Sequence, residues 1–176
     1  MIELLRDRVG STINFENLSS ELGVSSPTVK QWIEVLERLY IVFKVSPYSY
    51  RLSNSLKKES KYYFYDCASA TNEDGAKLEN LVACSLLKYC HFKRDTEGKD
   101  FQLFYYRDKQ KREVDFLVCE RTKPKLSIEV KSSDNQVSSS LVYLKEKINS
   151  ELNLQLVLNL NRTLDKNGIK VKSLAE

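Results

Sequence analysis

Two stretches near the middle of the chain alternate apolar and polar residues with period two. The first runs from Lys111 to Val118, and the second runs from Leu126 to Lys131. Alternation of this kind is typical of half-buried strands. The basic segment from Arg121 to Lys125 lies between them and is short enough for a turn, so the two strands are predicted to be hairpin neighbours.

The alternation also predicts which side chains share a face. On the first strand, one face is expected to hold Val114, Phe116 and Val118. The other face is expected to hold Asp115 and Leu117. The first set is apolar, so it is predicted to point into the core, and Asp115 is predicted to point away from it.

On the second strand, Ile128 and Val130 are expected to face the core, which puts Glu129 and Lys131 on the opposite face, beside Asp115. Two carboxylates a few ångströms apart repel each other unless a cation lies between them, and oxygen ligands favour Mg²⁺ or Mn²⁺. The arrangement suits metal-dependent phosphodiester cleavage, with the lysine orienting a water or stabilising negative charge. A solvated strand face with a cross-strand ion pair is the alternative.

Helical periodicity dominates the first 50 residues. A helix at 18–22 ends at Gly23, and the next helix is predicted to begin at Ser25 or Ser26 with Pro27 in its first turn. The residues of this helix predicted to face a core are Val29, Trp32, Ile33, Leu36 and Tyr40. Strands within 41–50 complete a winged helix-turn-helix domain predicted over residues 1–50.

The outward positions of that helix include Lys30 and Gln31, which are candidates for contact with DNA. Glu34 and Glu37 share the same surface, and residues 1–50 carry five basic and six acidic side chains, a net charge of −1. Acidic residues argue against strong DNA binding, because the phosphate backbone is an anion. A packing or protein-docking module is the alternative interpretation of this domain.

The rest of the chain predicts an α/β domain at 62–176, after a polar, lysine-rich linker at 51–61. The predicted elements are a strand at 62–66, a helix from 75 to about 90, strands at 101–106, 111–118 and 126–131, a helix at 138–148, and strands at 154–160 and 169–174. The apolar run at 154–160 suits a central strand, and the last strand is expected at the sheet edge. From the first helix onward, this order corresponds to an αβββαβ core.

Charge is unevenly distributed along the chain. The net charge is +4, and the 23 basic and 18 acidic residues after residue 50 account for a net +5. Candidate phosphate contacts on this side are Arg107, Lys109, Lys111, Arg112 and Lys145. A basic surplus near the carboxylates suits a polyanionic substrate, although Arg107, Lys109, Lys111 and Arg112 also describe an ordinary charged hairpin tip.

Several classes of function are excluded by what the sequence lacks. No apolar run is long enough to span a bilayer, and the first residues do not form a signal peptide. The four cysteines form no Cys-x-x-Cys pair, so they are expected to be reduced core residues of a cytoplasmic protein and not a zinc site. No phosphate-binding Gly-x-x-x-x-Gly-Lys-Ser/Thr motif occurs, so no ATP site is expected in this chain.

The order of Glu79, Asp115 and the triplet Glu129-Val130-Lys131 resembles the PD-(D/E)xK nuclease superfamily. Further segments that carry a resemblance are Ser25–Trp32, Tyr62–Asp66, Gly75–Val82, Arg112–Phe116 and Ile128–Ser133. Together they resemble a widespread group of bacterial and archaeal proteins in which an AAA-type ATPase module precedes a winged helix and a nuclease-like C-terminal domain. The resemblance covers nearly the whole chain.

This resemblance implies a restriction-endonuclease-like fold in which Glu79 joins Asp115 and Glu129 as a metal ligand and Lys131 assists the attacking water. It implies Mg²⁺ or Mn²⁺ as cofactor and DNA as substrate. The ATPase module normally lies N-terminal, so this chain is either a piece of a longer protein or a naturally short relative. Two functions stay open: a DNA nuclease, or a catalytically silent module that binds nucleic acid or protein and regulates an AAA-type ATPase. The oligomeric state is left open.

Overall fold

A single mixed sheet of nine described strands forms the centre of the molecule. The computed structural model describes residues 1–49, 59–70, 74–133, 136–160 and 163–174. The helices are α1 (Ile2–Arg6), α2 (Phe15–Leu22), α3 (Ser26–Arg38), α4 (Asp74–Glu97) and α5 (Ser139–Lys147), with a 3₁₀ turn at Cys67–Ser69. The strands are β1 (Thr12–Ile13), β2 (Val42–Pro47), β3 (Ser60–Phe64), β4 (Phe101–Arg107), β5 (Glu113–Glu120), β6 (Lys123–Lys131), β7 (Leu152–Val157), β8 (Leu164–Lys166) and β9 (Ile169–Ser173).

Local capping chemistry sets the N-terminal helices. The Asn14 side chain accepts hydrogen bonds from two backbone amides at the start of α2, and that helix ends at Gly23 in a left-handed conformation with φ +65°. Ser25 caps α3, and Pro27 lies in its first turn, as predicted. The core-facing side of α3 holds Val29, Ile33 and Leu36.

The sheet joins the N-terminal and C-terminal parts of the chain. Its strand order is β1-β3-β2-β4-β5-β6-β7-β9-β8, so β3 lies between β1 and β2, and β2 runs parallel to β4. Residues 51–58 of the predicted linker lie outside the described residues, whereas Ser60 and Lys61 begin β3. The linker prediction is therefore wrong for these two residues, because antiparallel pairing with both neighbours makes them part of the sheet.

The C-terminal part places one helix on each face of the sheet. Helix α4 packs on the cluster that contains Phe116 and Val118, and α5 packs on the cluster that contains Leu117 and Cys119. The elements α4, β4, β5, β6, α5 and β7 follow the predicted order, and the α/β class is confirmed. Helix α4 continues seven residues beyond the predicted end, to Glu97.

The C-terminal strands correct one prediction and confirm another. Strand β7 lies between β6 and β9 and runs parallel to both, so its predicted central position is confirmed. Strand β9 is not the edge, because β8 pairs with its outer side. All four cysteines are free, but only Cys90 and Cys119 are buried, so the prediction of core positions is wrong for the half-buried Cys67 and Cys84. None of the described helices combines the length and the apolar character that crossing a bilayer requires.

A β-bulge in β5 overturns the predicted alternation at Asp115. Tyr106 is paired with Val114 and Phe104 with Leu117, so a step of two residues on β4 faces a step of three on β5. The extra residue reverses the side-chain alternation. Val114 therefore packs in the cluster beneath α5, and not in the cluster of Phe116 and Val118 beneath α4.

Candidate active site

The candidate site lies at the open end of the β5–β6 hairpin, where the two strands separate. Their pairing runs from Glu120–Lys123 beside the turn to Phe116–Ile128, where the ladder ends. One residue further along β5, Asp115 Oδ2 accepts a hydrogen bond of 2.8 Å from the backbone amide of Val130. The Asp115 carboxylate thus accepts the amide hydrogen bond that a backbone carbonyl of β5 would accept in a regular ladder. This bond holds the carboxylate where the two strands separate.

The second carboxylate of the hairpin is buried and half satisfied. Glu129 is 5% exposed, and its Oε1 lies 3.0 Å from Lys131 Nζ. Its Oε2 is buried and has no hydrogen-bond partner among the described residues. Burial raises the pKa of Glu129, and Lys131, a hydrogen bond from the Ser138 side chain and the charge of Lys61 oppose that rise. A buried carboxylate oxygen without a partner costs free energy, so Oε2 is a candidate ligand atom.

Asp115 shares the electrostatic environment of this carboxylate. Burial raises the pKa of Asp115 well above its usual range, and the nearby carboxylates of Glu79 and Glu129 raise it further. The charge of Lys61 and the amide of Val130 oppose that rise. Negative charge is therefore crowded at this end of the hairpin, which favours the approach of a cation.

Glu79 approaches the hairpin from α4, as the resemblance implies, but one of its oxygens already accepts two hydrogen bonds and the other lies beside Gly10. Its Oε1 accepts hydrogen bonds from the Tyr63 hydroxyl at 2.6 Å and from Lys61 Nζ at 3.3 Å. A Cβ atom at Gly10 would come within 2.6 Å of its Oε2. Gly10 has φ +78°, so glycine suits this position both for backbone conformation and for space.

A buried lysine lies among these acids. Lys61 is 1% exposed, and its Nζ lies 2.6 Å from Glu113 Oε1 and 3.3 Å from Glu79 Oε1. Burial lowers the pKa of Lys61, but the carboxylates of Glu79, Asp115 and Glu113 outweigh it, so the net pKa is raised and the side chain stays charged. We call Glu79, Glu113, Asp115 and Glu129 the acidic cluster.

Sequence reasoning missed both Lys61 and Glu113. The polar, lysine-rich composition of 51–61 places Lys61 in the predicted linker, and the alternation along 111–118 gives Glu113 no role. A usable signal was present, since Lys61 directly precedes Tyr62, Tyr63 and Phe64, a run of strand-forming aromatic residues. Extending that strand by one residue brings the lysine into the sheet.

Two of the three predicted metal ligands, Asp115 and Glu129, suit a divalent cation. Carboxylate oxygens are the ligands that Mg²⁺ and Mn²⁺ prefer. Glu129 lies near enough for its charge to raise the pKa of Asp115, and its Oε2 has no partner among the described residues. Within the described residues, no group of three or more His, Cys, Asp and Glu side chains is already arranged as a metal site. Glu79 is the predicted third ligand, but its Oε1 lies 3.3 Å from the positively charged Nζ of Lys61.

The predicted phosphate contacts differ in how strongly they are engaged within the protein. Arg112 forms an ion pair with Asp108 at 2.6 Å, and its guanidinium lies 3.4 Å from the centre of the Tyr143 ring. Arg107 lies 3.5 Å from Glu113, and Lys145 donates to the carbonyl of Asn167.

Other predicted contacts are open to solvent. Lys109 and Lys111 are exposed on the turn before β5, with no ion pair to any described residue, and Lys111 has φ +63°. Lys30 and Gln31 are exposed on α3, where Lys30 lies 4.0 Å from Glu34. The turn therefore offers cations close in sequence to Asp115.

The outer face of α3 corrects the prediction for two aromatic residues. Trp32 and Tyr40 were expected to face a core, but they are 41% and 72% exposed. Trp32 lines an apolar groove with Ile2 and Val35, and Leu39 lies one turn after Val35 at the end of α3; each is more than a third exposed. Tyr40 instead packs edge-on against the ring of Tyr65. We call Ile2, Trp32, Val35 and Leu39 the apolar face. An exposed apolar surface of this kind is typical of contact with another protein, whereas a phosphate-binding helix presents basic side chains.

Comparison with known proteins finds two family models. The domain of unknown function DUF4143 matches residues 74–175, and the domain of unknown function DUF8612 matches residues 1–77. The chain belongs to the DUF4143 family. The two matches meet at residues 74–77, on the C-terminal side of β3, which agrees with the pairing of β3 with β1 and β2.

Two curated relatives extend the similarity to longer proteins. The chain is 26% identical over 160 residues to the uncharacterized protein MJ1637 of Methanocaldococcus jannaschii, covering 82% of this chain and 32% of that protein. It is 28% identical over 100 residues to an uncharacterized protein of Haemophilus influenzae, covering 50% of this chain and 25% of that protein. The chain thus spans about a third or less of the length of these relatives. No solved structure matches significantly.

Proposed function

We propose that this chain carries a metal-dependent DNA nuclease site that hydrolyses phosphodiester bonds. The observation that carries the proposal is the buried, unpartnered Oε2 of Glu129, on the strand next to the strongly perturbed carboxylate of Asp115. Two carboxylates that repel each other and leave an oxygen unsatisfied suit a site for a hard cation. Perturbed acids at one place are also typical of functional sites.

The roles follow from the positions of the side chains. Asp115 and Glu129 would hold Mg²⁺ or Mn²⁺, and the backbone amide of Val130 orients the Asp115 carboxylate. The bound ion supplies polarisation of the phosphate and of the attacking water. The Lys131 ammonium is paired with Glu129 at one end of β6 and is 39% exposed, so it can donate to a water or a phosphate oxygen in the same place.

The proposal extends to the fold. A helix, three antiparallel strands, a helix on the opposite face and a parallel strand support a restriction-endonuclease-like core for α4 to β7. Helices α2 and α3, followed by the antiparallel pair of β2 and β3, support a winged helix for the N-terminal part. Lys109 and Lys111 on the turn before β5 are proposed to contact the DNA backbone.

The test is cleavage of supercoiled plasmid, linear duplex and branched DNA in the presence of Mn²⁺. Glu129→Gln keeps the size of the side chain and removes its charge, and we expect it to reduce cleavage by at least about 100-fold, as for groups that act on the reacting atoms. Glu120→Gln, at the other end of the same hairpin, is the matched control and should retain wild-type cleavage. Wild-type protein that cleaves none of the three substrates, or cleavage that survives Glu129→Gln, contradicts the proposal.

A second candidate function is a non-enzymatic module that binds a partner protein and regulates an AAA-type ATPase. The apolar face favours it, since exposed Trp32, Val35 and Leu39 are costly to leave in water without a partner. DUF4143 domains are commonly found with AAA ATPases. Thermal melting separates the two candidates: millimolar Mn²⁺ should raise the melting temperature of a nuclease site and Asp115→Ala should abolish the rise, whereas a silent module shows no rise.

A further inference from the structure

We propose that the Lys61 ammonium is the resident cation of the acidic cluster and keeps Glu79 out of the coordination of a metal held by Asp115 and Glu129. The inference rests on the proposed metal-dependent function and assigns a role to a residue outside the motif. Lys61 is then a positioning residue that weakens the affinity of the site for divalent ions. Glu79 acts through Lys61 and not as a metal ligand.

The contacts of Glu79 are the first support. Its Oε1 accepts from both Tyr63 and Lys61, and its Oε2 faces the Cα of Gly10 with no room for a side chain there. A carboxylate that coordinates a metal needs an oxygen facing the ion. Glu79 therefore has to give up the Lys61 contact at Oε1, or move Oε2 away from Gly10, before it can serve as the third ligand.

The position of Lys61 is the second support. Its backbone lies in the middle of paired strands, opposite Thr12 of β1 and Val45 of β2. Its side chain is 1% exposed, and the ammonium also lies 5.5 Å from the centre of the Tyr105 ring. Because the strand is held on both sides and the side chain is enclosed, the charge is fixed in the cluster. An exposed lysine would instead move into solvent.

Charge is the third support. The four carboxylates of the acidic cluster meet the cations Lys61 and Lys131, and Arg107 lies 3.5 Å from Glu113. A fixed positive charge close to Asp115 repels a divalent ion and partly neutralises the carboxylates that would attract it. Removing that charge should therefore strengthen metal binding and release Glu79 to join it.

Titration of the full chain with Mn²⁺, followed by electron paramagnetic resonance of the free ion and by calorimetry, tests the inference without relying on cleavage. We expect Lys61→Met to tighten Mn²⁺ binding by at least about tenfold, because one nearby like charge is lost and Glu79 is released to join the ion. Glu79→Gln should change wild-type affinity less than about threefold but remove the part of the gain that Glu79 contributes in the Lys61→Met background. Asp115→Asn should abolish binding in both backgrounds.

Folding is controlled with circular dichroism and with two further variants. The double variant Lys61→Met/Glu113→Gln removes one positive and one negative charge. If Lys61→Met alone does not fold, the Mn²⁺ affinity of this double variant tests the inference. Lys125→Met removes a lysine that likewise contacts two glutamates, 3.3 Å from Glu120 and 2.6 Å from Glu151, at the other end of the hairpin. It should leave Mn²⁺ affinity unchanged.

The outcomes separate this inference from the proposed function. A folded Lys61 variant with unchanged or weaker Mn²⁺ binding overturns the inference, even if the wild type cleaves DNA. So does a Glu79→Gln variant that loses Mn²⁺ as completely as Asp115→Asn. If the wild type does not cleave but Mn²⁺ binding tightens in the Lys61 variants, the nuclease proposal fails and the role of Lys61 stands. No Mn²⁺ binding by either the wild type or the folded Lys61 variants overturns both.

Discussion

The two ends of the β5–β6 hairpin carry similar groups of charges in different surroundings. Near the turn, Lys125 pairs with Glu120 and Glu151, and 26% of its side chain is exposed. At the open end, Lys61 also pairs with two glutamates, but only 1% of its side chain is exposed. The lysine is thus partly solvated at one end and enclosed at the other, whereas Glu113 and Glu120 are similarly half-buried.

The difference shows where charge in this protein has a role beyond solubility. Ion pairs at the turn compete with water and ions, so they contribute little to stability. At the open end, the Lys61 ammonium has lost nearly all of its water, and removing it takes a shared cationic partner from Glu79 and Glu113, which keep only the Tyr63 hydroxyl and Arg107 among the described residues. Burying charged side chains costs free energy of folding. The open end, and not the turn, is therefore the candidate for function.

The largest expected effect comes from deleting the buried cation. Lys61→Met should lower the free energy of unfolding by about 3–5 kcal/mol, because Glu79 and Glu113 lose their shared partner. Lys125→Met, the solvated counterpart, should leave the urea midpoint nearly unchanged. Urea denaturation followed by circular dichroism in metal-free buffer measures both. Equal losses for the two variants would remove the distinction between the ends of the hairpin.

A smaller effect is expected from two buried tyrosines with equally short hydrogen bonds. The Tyr63 hydroxyl donates to the Glu79 carboxylate at 2.6 Å, and the Tyr105 hydroxyl donates to the carbonyl of Glu59 at 2.6 Å. Tyr63→Phe should cost about 1.5–3 kcal/mol of unfolding free energy because its acceptor is charged, and Tyr105→Phe about 0.5–1.5 kcal/mol. A larger loss for Tyr105→Phe in the same denaturation assay would show that the charge of Glu79 is not what strengthens the bond.

The subtlest expected effect is a dependence of stability on pH. The pKa of Asp115 is raised in the folded protein, first by burial and then by Glu79 and Glu129, so ionising it costs stability as the pH rises from its unfolded pKa through its folded pKa. Below the unfolded pKa the residue is protonated in both states and the cost is absent. Asp115→Asn should therefore be more stable than the wild type at pH 7 in the presence of chelator, and the gain should shrink towards pH 4.

The matched control for this pH dependence is Glu120→Gln at the turn. This substitution removes a solvated carboxylate, so its stability relative to the wild type should be similar at both pH values. Thermal melts at pH 4 and pH 7 measure the two variants in parallel. A gain for Asp115→Asn of the same size at both pH values would mean that the amide improves packing and that ionisation of Asp115 is not the cause.

Short-range pattern was sufficient for much of the fold. Period-two alternation predicted β5 and β6 as a hairpin, and the structure confirms their antiparallel pairing around the turn at Arg121. Apolar stripes at helical spacing predicted α4 and α5, and an apolar run predicted the central strand β7. These features depend on residues close in sequence, where propensity and burial act together. The identities of Asp115, Glu129 and Lys131 as a charged group also followed from spacing alone.

Tertiary structure alone decided the arrangement of the site. The bulge that turns Asp115 exists because β4 and β5 shift register, and the burial of Lys61 exists because β3 pairs with strands from the N-terminal part of the chain. The exposure of Trp32 likewise depends on which side of α3 packs on the sheet. Periodicity reports that a residue has an apolar neighbour at a given spacing, but not which distant strand will cover it. A lysine at a polar boundary therefore became the buried cation of an acidic cluster through pairings that no local pattern contains.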